Sequence, residues 1–215
     1  TQLEPEEGVY DFSYLDMMIE KIGKAGGKVL LATPTGSKPL WMSRKYPEIR
    51  MVYHDGYREK SGRRHNHCCN SPIYREKTYQ INTRLAERYA NNDTVIGWHI
   101  SNEYGNCRSV CYCDTCQAKF REYLKAKYKT LDNLNQSWCT AFWSHTITDW
   151  DLIEAPSEVG ENSVHGLTLD WKQFCSDSYV DYMKFEIDAI RKFSDKPVTA
   201  NLMRGFRRID YWEMA

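Results

Sequence analysis

Apolar side chains first recur at helical spacing in Phe12, Leu15, Met18, Ile19 and Ile22. Asp11 or Ser13 is placed to cap that helix, and Gly26-Gly27 to end it. The apolar run Val29-Leu30-Leu31-Ala32, stopped by Pro34, reads as a buried parallel strand. Residues 34–76 then lose periodicity, although Trp41, Met42, Tyr46, Met51 and Tyr53 argue against disorder. A loop of that length inside a compact domain usually serves function. Helical spacing returns over residues 75–91, with Ile81, Leu85, Ala86 and Tyr89 on one face, and Asn91-Asn92-Asp93 breaks it. A second strand, residues 95–100, runs straight into the polar cluster Ser101-Asn102-Glu103-Tyr104-Gly105. A cysteine-rich stretch, residues 107–116, leads into a helix bearing Phe120 and Leu124. After the aromatic residues Trp138, Phe142, Trp143 and Trp150, the spacing predicts a long helix over 169–193 and a third strand over 197–202.

Strands alternating with helices mean βαβ units and a parallel sheet, so the fold class is α/β. A closed (β/α)8 TIM barrel takes about 250 residues. Here 215 residues supply three secure strands, which reads as an incomplete barrel. A doubly wound sheet stays open as an architecture, but no glycine-rich phosphate loop follows any strand. In either case ligands bind at the C-terminal strand ends. Three segments should converge there: Thr33-Pro34-Thr35, Ser101-Asn102-Glu103 and Asn201.

Charge narrows the partners. The 29 basic and 29 acidic side chains balance. That argues against a nucleic-acid binder, which needs a positive excess, and against a polybasic membrane-surface binder. No apolar run approaches the roughly 18 residues of a membrane span. No export signal is legible in the acidic residues 1–7. The 15 Tyr, 7 Trp and 7 Phe often sit beside polar groups, as at a core edge or in a cleft that stacks on sugars.

Glu103 follows an apolar strand directly, which places its carboxyl group at the cleft mouth. Burial of a carboxyl group disfavours its ion, and an acid so held can protonate a leaving-group oxygen. The plainer alternative is a solvated loop glutamate. Retaining glycoside hydrolysis needs a second carboxylate about 5–5.5 Å away. No other strand end offers one: Glu186 lies within the long helix, Glu158 and Glu161 in a loop, and Glu213 too soon after the third strand. Cys111, Cys113 and Cys116 are three thiols in six residues, with Cys68 or Cys69 upstream. Four thiolates suit a closed, structural Zn2+ site with no open position, whereas disulfides between such near neighbours would be strained. Spacing does not choose between Cys68 and Cys69. Cys107, Cys139 and Cys175 show no metal spacing and read as structural thiols. Zinc on reduced thiols favours the cytoplasm.

Several motifs carry a resemblance. They are Glu4-Pro5-x-x-Gly8-x-Tyr10-x-Phe12, Leu31-Ala32-Thr33-Pro34-Thr35, Arg64-His65-Asn66-His67-Cys68-x-Asn70-Ser71-Pro72, Trp98-His99-Ile100-x-Asn102-Glu103-Tyr104-Gly105, the three-cysteine cluster, and Leu134-Asn135-x-x-Trp138 with Phe142-Trp143. Together they resemble glycoside hydrolase family 42 β-galactosidases over almost the whole chain. The resemblance implies a (β/α)8 catalytic barrel, retaining cleavage of terminal β-galactosides and, for the complete protein, often a homotrimer. Residues 1–215 would form one partial barrel domain bearing the zinc loop, its N-terminal and central part. Later strands and the nucleophile would then lie beyond Ala215, so the piece alone would be inactive. By position Glu103 matches the acid/base. Arg64 and Asn102 match galactose-hydroxyl contacts, and Trp143 an aromatic near the sugar. Cys68, Cys111, Cys113 and Cys116 match the zinc ligands. Other expectations kept open are a different sugar specificity, such as an α-arabinosidase, and a non-catalytic, zinc-stabilised carbohydrate-binding piece.

Overall fold

The computed structural model describes residues 2–105, 110–203 and 209–214. The first predicted helix is α1, Ser13–Lys24, which buries Ile19. Asp11 accepts from the Ser13 N–H at 2.9 Å beside its start. β1 follows as Val29–Ala32. The aperiodic stretch is ordered by a single 3-10 turn at Pro34–Gly36, the short helix α2 at Leu40–Lys45, and a second 3-10 turn at Pro47–Ile49. Antiparallel bridges pair Arg50 with His67 and Val52 with Arg58. These units are too short to show a period, yet they bury Met42, Ile49 and Met51.

α3, Pro72–Tyr89, starts at a proline whose missing N–H costs nothing in the first turn. The Ser71 hydroxyl caps it by accepting from the Tyr74 N–H at 3.3 Å. β2 is Val95–His99, and α4 and α5 follow as Asp114–Tyr128 and Leu131–Trp138. α6 runs from His165 to Arg191, a turn earlier than its apolar stripe suggests. β3 shrinks to Val198–Thr199, and α7, Tyr211–Met214, ends the described chain.

The three strands form one parallel sheet in the order β1-β2-β3. Leu31 pairs with Trp98, and Trp98 with Val198. Leu31 and Trp98 point into a core that also holds Ile81, Leu85, Tyr182 and Ile190. The Trp98 indole donates to the Ser194 hydroxyl at 2.9 Å, so its polar edge is satisfied inside that core. A second core lies around Phe120, Trp138, Trp171 and Phe174, and α6 contributes to both. In the second, buried Asp170 accepts from the Trp138 indole at 2.9 Å and the Tyr128 hydroxyl at 2.7 Å. Leu30 and Ala32, on the other face of β1, are exposed. Parallel sheets are ordinarily covered on both faces, so this face has the character of a barrel interior. No helix among the described residues is long and apolar enough to cross a membrane.

Gly97 sits where β2 touches both neighbours. A Cβ there would stand 2.8 Å from Leu30 Cδ2 and 2.9 Å from the Pro197 carbonyl oxygen. The carbonyl belongs to the backbone and cannot swing aside. Gly97→Ala should therefore destabilise the fold by about 1–3 kcal/mol, the usual cost of overpacking. A urea unfolding midpoint equal to the parent's would contradict this.

Candidate active site

The geometry is set where β1 and β2 end. Thr33 N–H donates to the His99 carbonyl at 2.9 Å, and Ile100 N–H to the Thr199 carbonyl at 2.9 Å. Beyond these bonds the chain turns sharply. Ser101 and Glu103 both take left-handed backbone, at φ 49° and 46°. Such conformations cost of order 1–3 kcal/mol each and persist only where neighbours over-determine them. Here they do. Ser101 N–H donates to the Thr33 hydroxyl at 2.7 Å, and Glu103 N–H to the Asn201 side-chain carbonyl at 3.1 Å. The Tyr104 hydroxyl donates to buried Glu186. The three segments expected to converge are thus joined by hydrogen bonds.

A fourth segment closes on them. His65 N–H donates to the Gly36 carbonyl at 2.9 Å. A Cβ on Gly36 would lie 3.3 Å from Asn102 Cβ and 3.4 Å from His65 Cε1, so glycine permits this close approach. The result sets Arg64 Nη2 3.1 Å from Glu103 Oε2. The Glu103 side chain is 21% exposed and that of Arg64 56%, so both reach solvent. Burial, with Arg64 alongside, holds the His65 imidazole below its ordinary value, while Glu103 opposes the shift. Asn102 is half-buried between the glycine and the acid. Trp143 is 77% exposed, and its ring contact is an edge-on one with Phe142 at 5.6 Å. That geometry does not by itself join Trp143 to the Glu103 cluster.

One carboxyl group, a guanidinium and an amide therefore meet at the strand ends. The carboxyl group can give or take a proton, and the other two can hold hydroxyl oxygens. Glu186 does not reach this surface. It is fully buried and engaged by Thr35 and Tyr104.

Cys68, Cys111, Cys113 and Cys116 form a buried cluster whose four sulfurs all lie within 4.8 Å of one another. Cys68 Sγ is 3.4 Å from Cys116 Sγ and 3.7 Å from Cys113 Sγ. A tetrahedral ion with metal–sulfur bonds of about 2.3 Å spaces its sulfurs by about 3.8 Å, so the cluster has the dimensions to hold a metal ion. The surroundings also suit thiolates, because N–H groups point at sulfur: Val52 N–H at Cys111, 3.5 Å, and the Asn70 amide at Cys116, 3.6 Å. Hydrogen bonding with Cys111 above all pushes Cys68 and Cys116 well above the ordinary thiol value and pulls Cys113 below it. Cys69 is buried apart from the cluster. Of the remaining cysteines, Cys175 is buried, Cys139 is exposed, and Cys107 lies outside the described residues.

The family model described as "Beta-galactosidase", Glyco_hydro_42, matches residues 1–215. The chain belongs to glycoside hydrolase family 42. Among its relatives in that family, it is 54% identical over 211 residues to β-galactosidase BglY of Alicyclobacillus acidocaldarius, covering 98% of this chain and 30% of the relative. It is 50% identical over 221 residues to β-galactosidase GanA of Bacillus subtilis, covering 99% of this chain and 32% of that protein. The chain thus spans about a third of the length of the curated relatives it matches. The crystal structure of the cold-adapted β-galactosidase from Rahnella sp. R3 superposes with a TM-score of 0.95 at 49% identity, over 99% of this chain and 31% of that one. The fold is accordingly part of the family's TIM barrel.

The four-sulfur geometry predicts that protein purified without chelator carries about one divalent ion per chain. Cys113→Ser should lower that content severalfold. Elemental analysis finding no metal in the parent protein would contradict the reading of the cluster.

Proposed function

We propose that residues 1–215 carry the acid/base half of a retaining β-galactosidase. The observation that supports this most is Glu103 at the end of β2, paired with Arg64 at 3.1 Å, in a chain 54% identical to a named β-galactosidase. In this reading Glu103 protonates the glycosidic oxygen as the bond to the leaving sugar breaks. It then takes a proton from the water that releases the galactosyl group. Charge builds on the departing oxygen, so a proton supplied there lowers the barrier most for poor leaving groups. Arg64 and Asn102 flank the acid and would hold galactose hydroxyls. The attacking carboxylate would come from a part of the protein outside these residues. The relatives named above are β-galactosidases, which favours galactose over arabinose and enzyme over binding module.

Zinc is the metal we assign to the four cysteines, because an all-thiolate tetrahedron is a closed structural site. When bound it would supply a cross-link and no water activation. Cys68 lies in the stretch after β1 and the other three in the stretch after β2, so that cross-link would tie together the segments carrying Arg64 and Glu103. A reducing compartment such as the cytoplasm suits thiols kept available for metal.

In the full-length protein, Glu103→Ala should reduce kcat/KM for lactose by about 10²–10⁴, the span of general acid catalysis. A dinitrophenyl galactoside, whose leaving group departs without a proton, should lose far less. Undiminished lactose hydrolysis would overturn the assignment.

A further inference from the structure

Glu186 is a carboxylate with no place in the proposed reaction. It sits near the end of α6, with none of its surface exposed. Three elements converge on its two oxygens. Thr35, in the turn just past β1, donates its hydroxyl to Oε1. Asn82 on α3 also points its amide at Oε1, at 3.4 Å. Tyr104, immediately after Glu103, donates its hydroxyl to Oε2. The nearby cation Arg75 is turned to Asp181 at 2.7 Å. The carboxylate is therefore held by neutral donors. Burial raises its pKa to about 7, against the pull of those hydrogen bonds.

A buried carboxyl group without a cationic partner is a costly way to fill space, and an apolar side chain of similar volume packs more cheaply. Its two oxygens do offer something a hydrocarbon or an amide lacks: acceptors on both sides, able to take hydroxyl protons from two different loops at once. Those two loops are the ends of β1 and β2. The β1 turn is further fixed by the Tyr74 hydroxyl, which donates to the Thr35 carbonyl at 2.6 Å. On the β2 side, Ser101 is anchored to Thr33 and Tyr104 to Glu186, so the left-handed Glu103 stands between two pinned points.

We propose that Glu186 is a positioning residue for Glu103, gripping Thr35 and Tyr104 so that the two strand-end turns hold the acid/base carboxyl in its working direction. This rests on the acid/base reading of Glu103. Glu186 touches no substrate and acts only through the backbone of the turn. Losing the grip should therefore injure proton delivery more than substrate binding or nucleophilic attack.

The test uses the full-length protein and two substrates, lactose and a dinitrophenyl galactoside, compared by kcat/KM. Tyr104→Phe removes one hydroxyl from the grip, and Glu186→Gln removes one acceptor. Each should lower the lactose value about tenfold, as a modest misplacement of a catalytic group does, and leave the aryl substrate within about twofold. Thr35→Val should behave likewise, while Thr35→Ser, which keeps the hydroxyl, should stay near the parent. If Glu186→Gln fails to fold, Tyr104→Phe and the Thr35 pair still decide the matter. Equal losses on both substrates, or no loss on either, would overturn the proposal. Glu103→Ala measured alongside separates the two levels. If it shows the leaving-group preference and the grip variants do not, positioning alone falls. If Glu103→Ala shows none, the acid/base reading falls and this proposal with it.

Discussion

Thr33 donates its N–H to the His99 carbonyl, and its hydroxyl accepts from Ser101 N–H two residues past the end of β2. These two bonds end the ladder between β1 and β2 and start everything beyond it. Parallel strands finish at the same edge, so the turns that follow must share one small volume. A threonine at that edge joins the strands through both backbone and side chain. The left-handed residues Ser101 and Glu103 follow directly, and the strain they carry is held by bonds to Thr33, Asn201 and Glu186. The direction of the Glu103 side chain is thus a consequence of strand pairing as much as of its own rotamer.

The proposed metal at the four cysteines would tie the same two loops a second time. Cys68 follows Arg64 by four residues, and Cys111 follows Glu103 by eight. An ion bound by their sulfurs, which lie within 4.8 Å of one another, would restrict how far the Arg64 and Glu103 segments can drift apart. Ordering loops this long is entropically expensive, and such a cross-link would reduce the freedom that remains to be lost. Packing completes the restraint. α6 contributes Tyr182 and Glu186 beneath the strand ends, and Trp171 and Phe174 in the core beside the cysteines.

Much of this was legible in the residues themselves. The segments 29–32 and 95–99 read as strands because they are short, rich in aliphatic and aromatic residues, and bounded by turn formers. The C-x-C-x-x-C spacing marked the sulfur cluster, and the strand-end position marked Glu103. Other features were hidden for identifiable reasons. Residues 34–71 fold through two 3-10 turns, the six-residue helix α2 and isolated bridges, all too short to leave a periodic trace. β3 keeps only Val198–Thr199 of the predicted 197–202, because backbone pairing with β2 extends only as far as His99 opposite Thr199. Glu186 looked like an ordinary helical glutamate. Its burial depends on Thr35, Asn82 and Tyr104 arriving from three other elements, and nothing local in α6 announces them. Arg64 pairs with Glu103 across thirty-nine residues of sequence, a contact that Gly36 permits by letting the backbones close up.

The central claim is that Glu103 supplies and removes the proton while another group attacks the sugar. The most direct measurement is the product formed when full-length Glu103→Ala cleaves a dinitrophenyl galactoside in the presence of azide. With the base gone, azide should enter from the face that water uses and attack the galactosyl-enzyme without needing deprotonation. The account predicts faster turnover and β-galactosyl azide, with the anomeric configuration retained. α-Galactosyl azide would mean that Glu103 is itself the nucleophile, and that result would contradict the account.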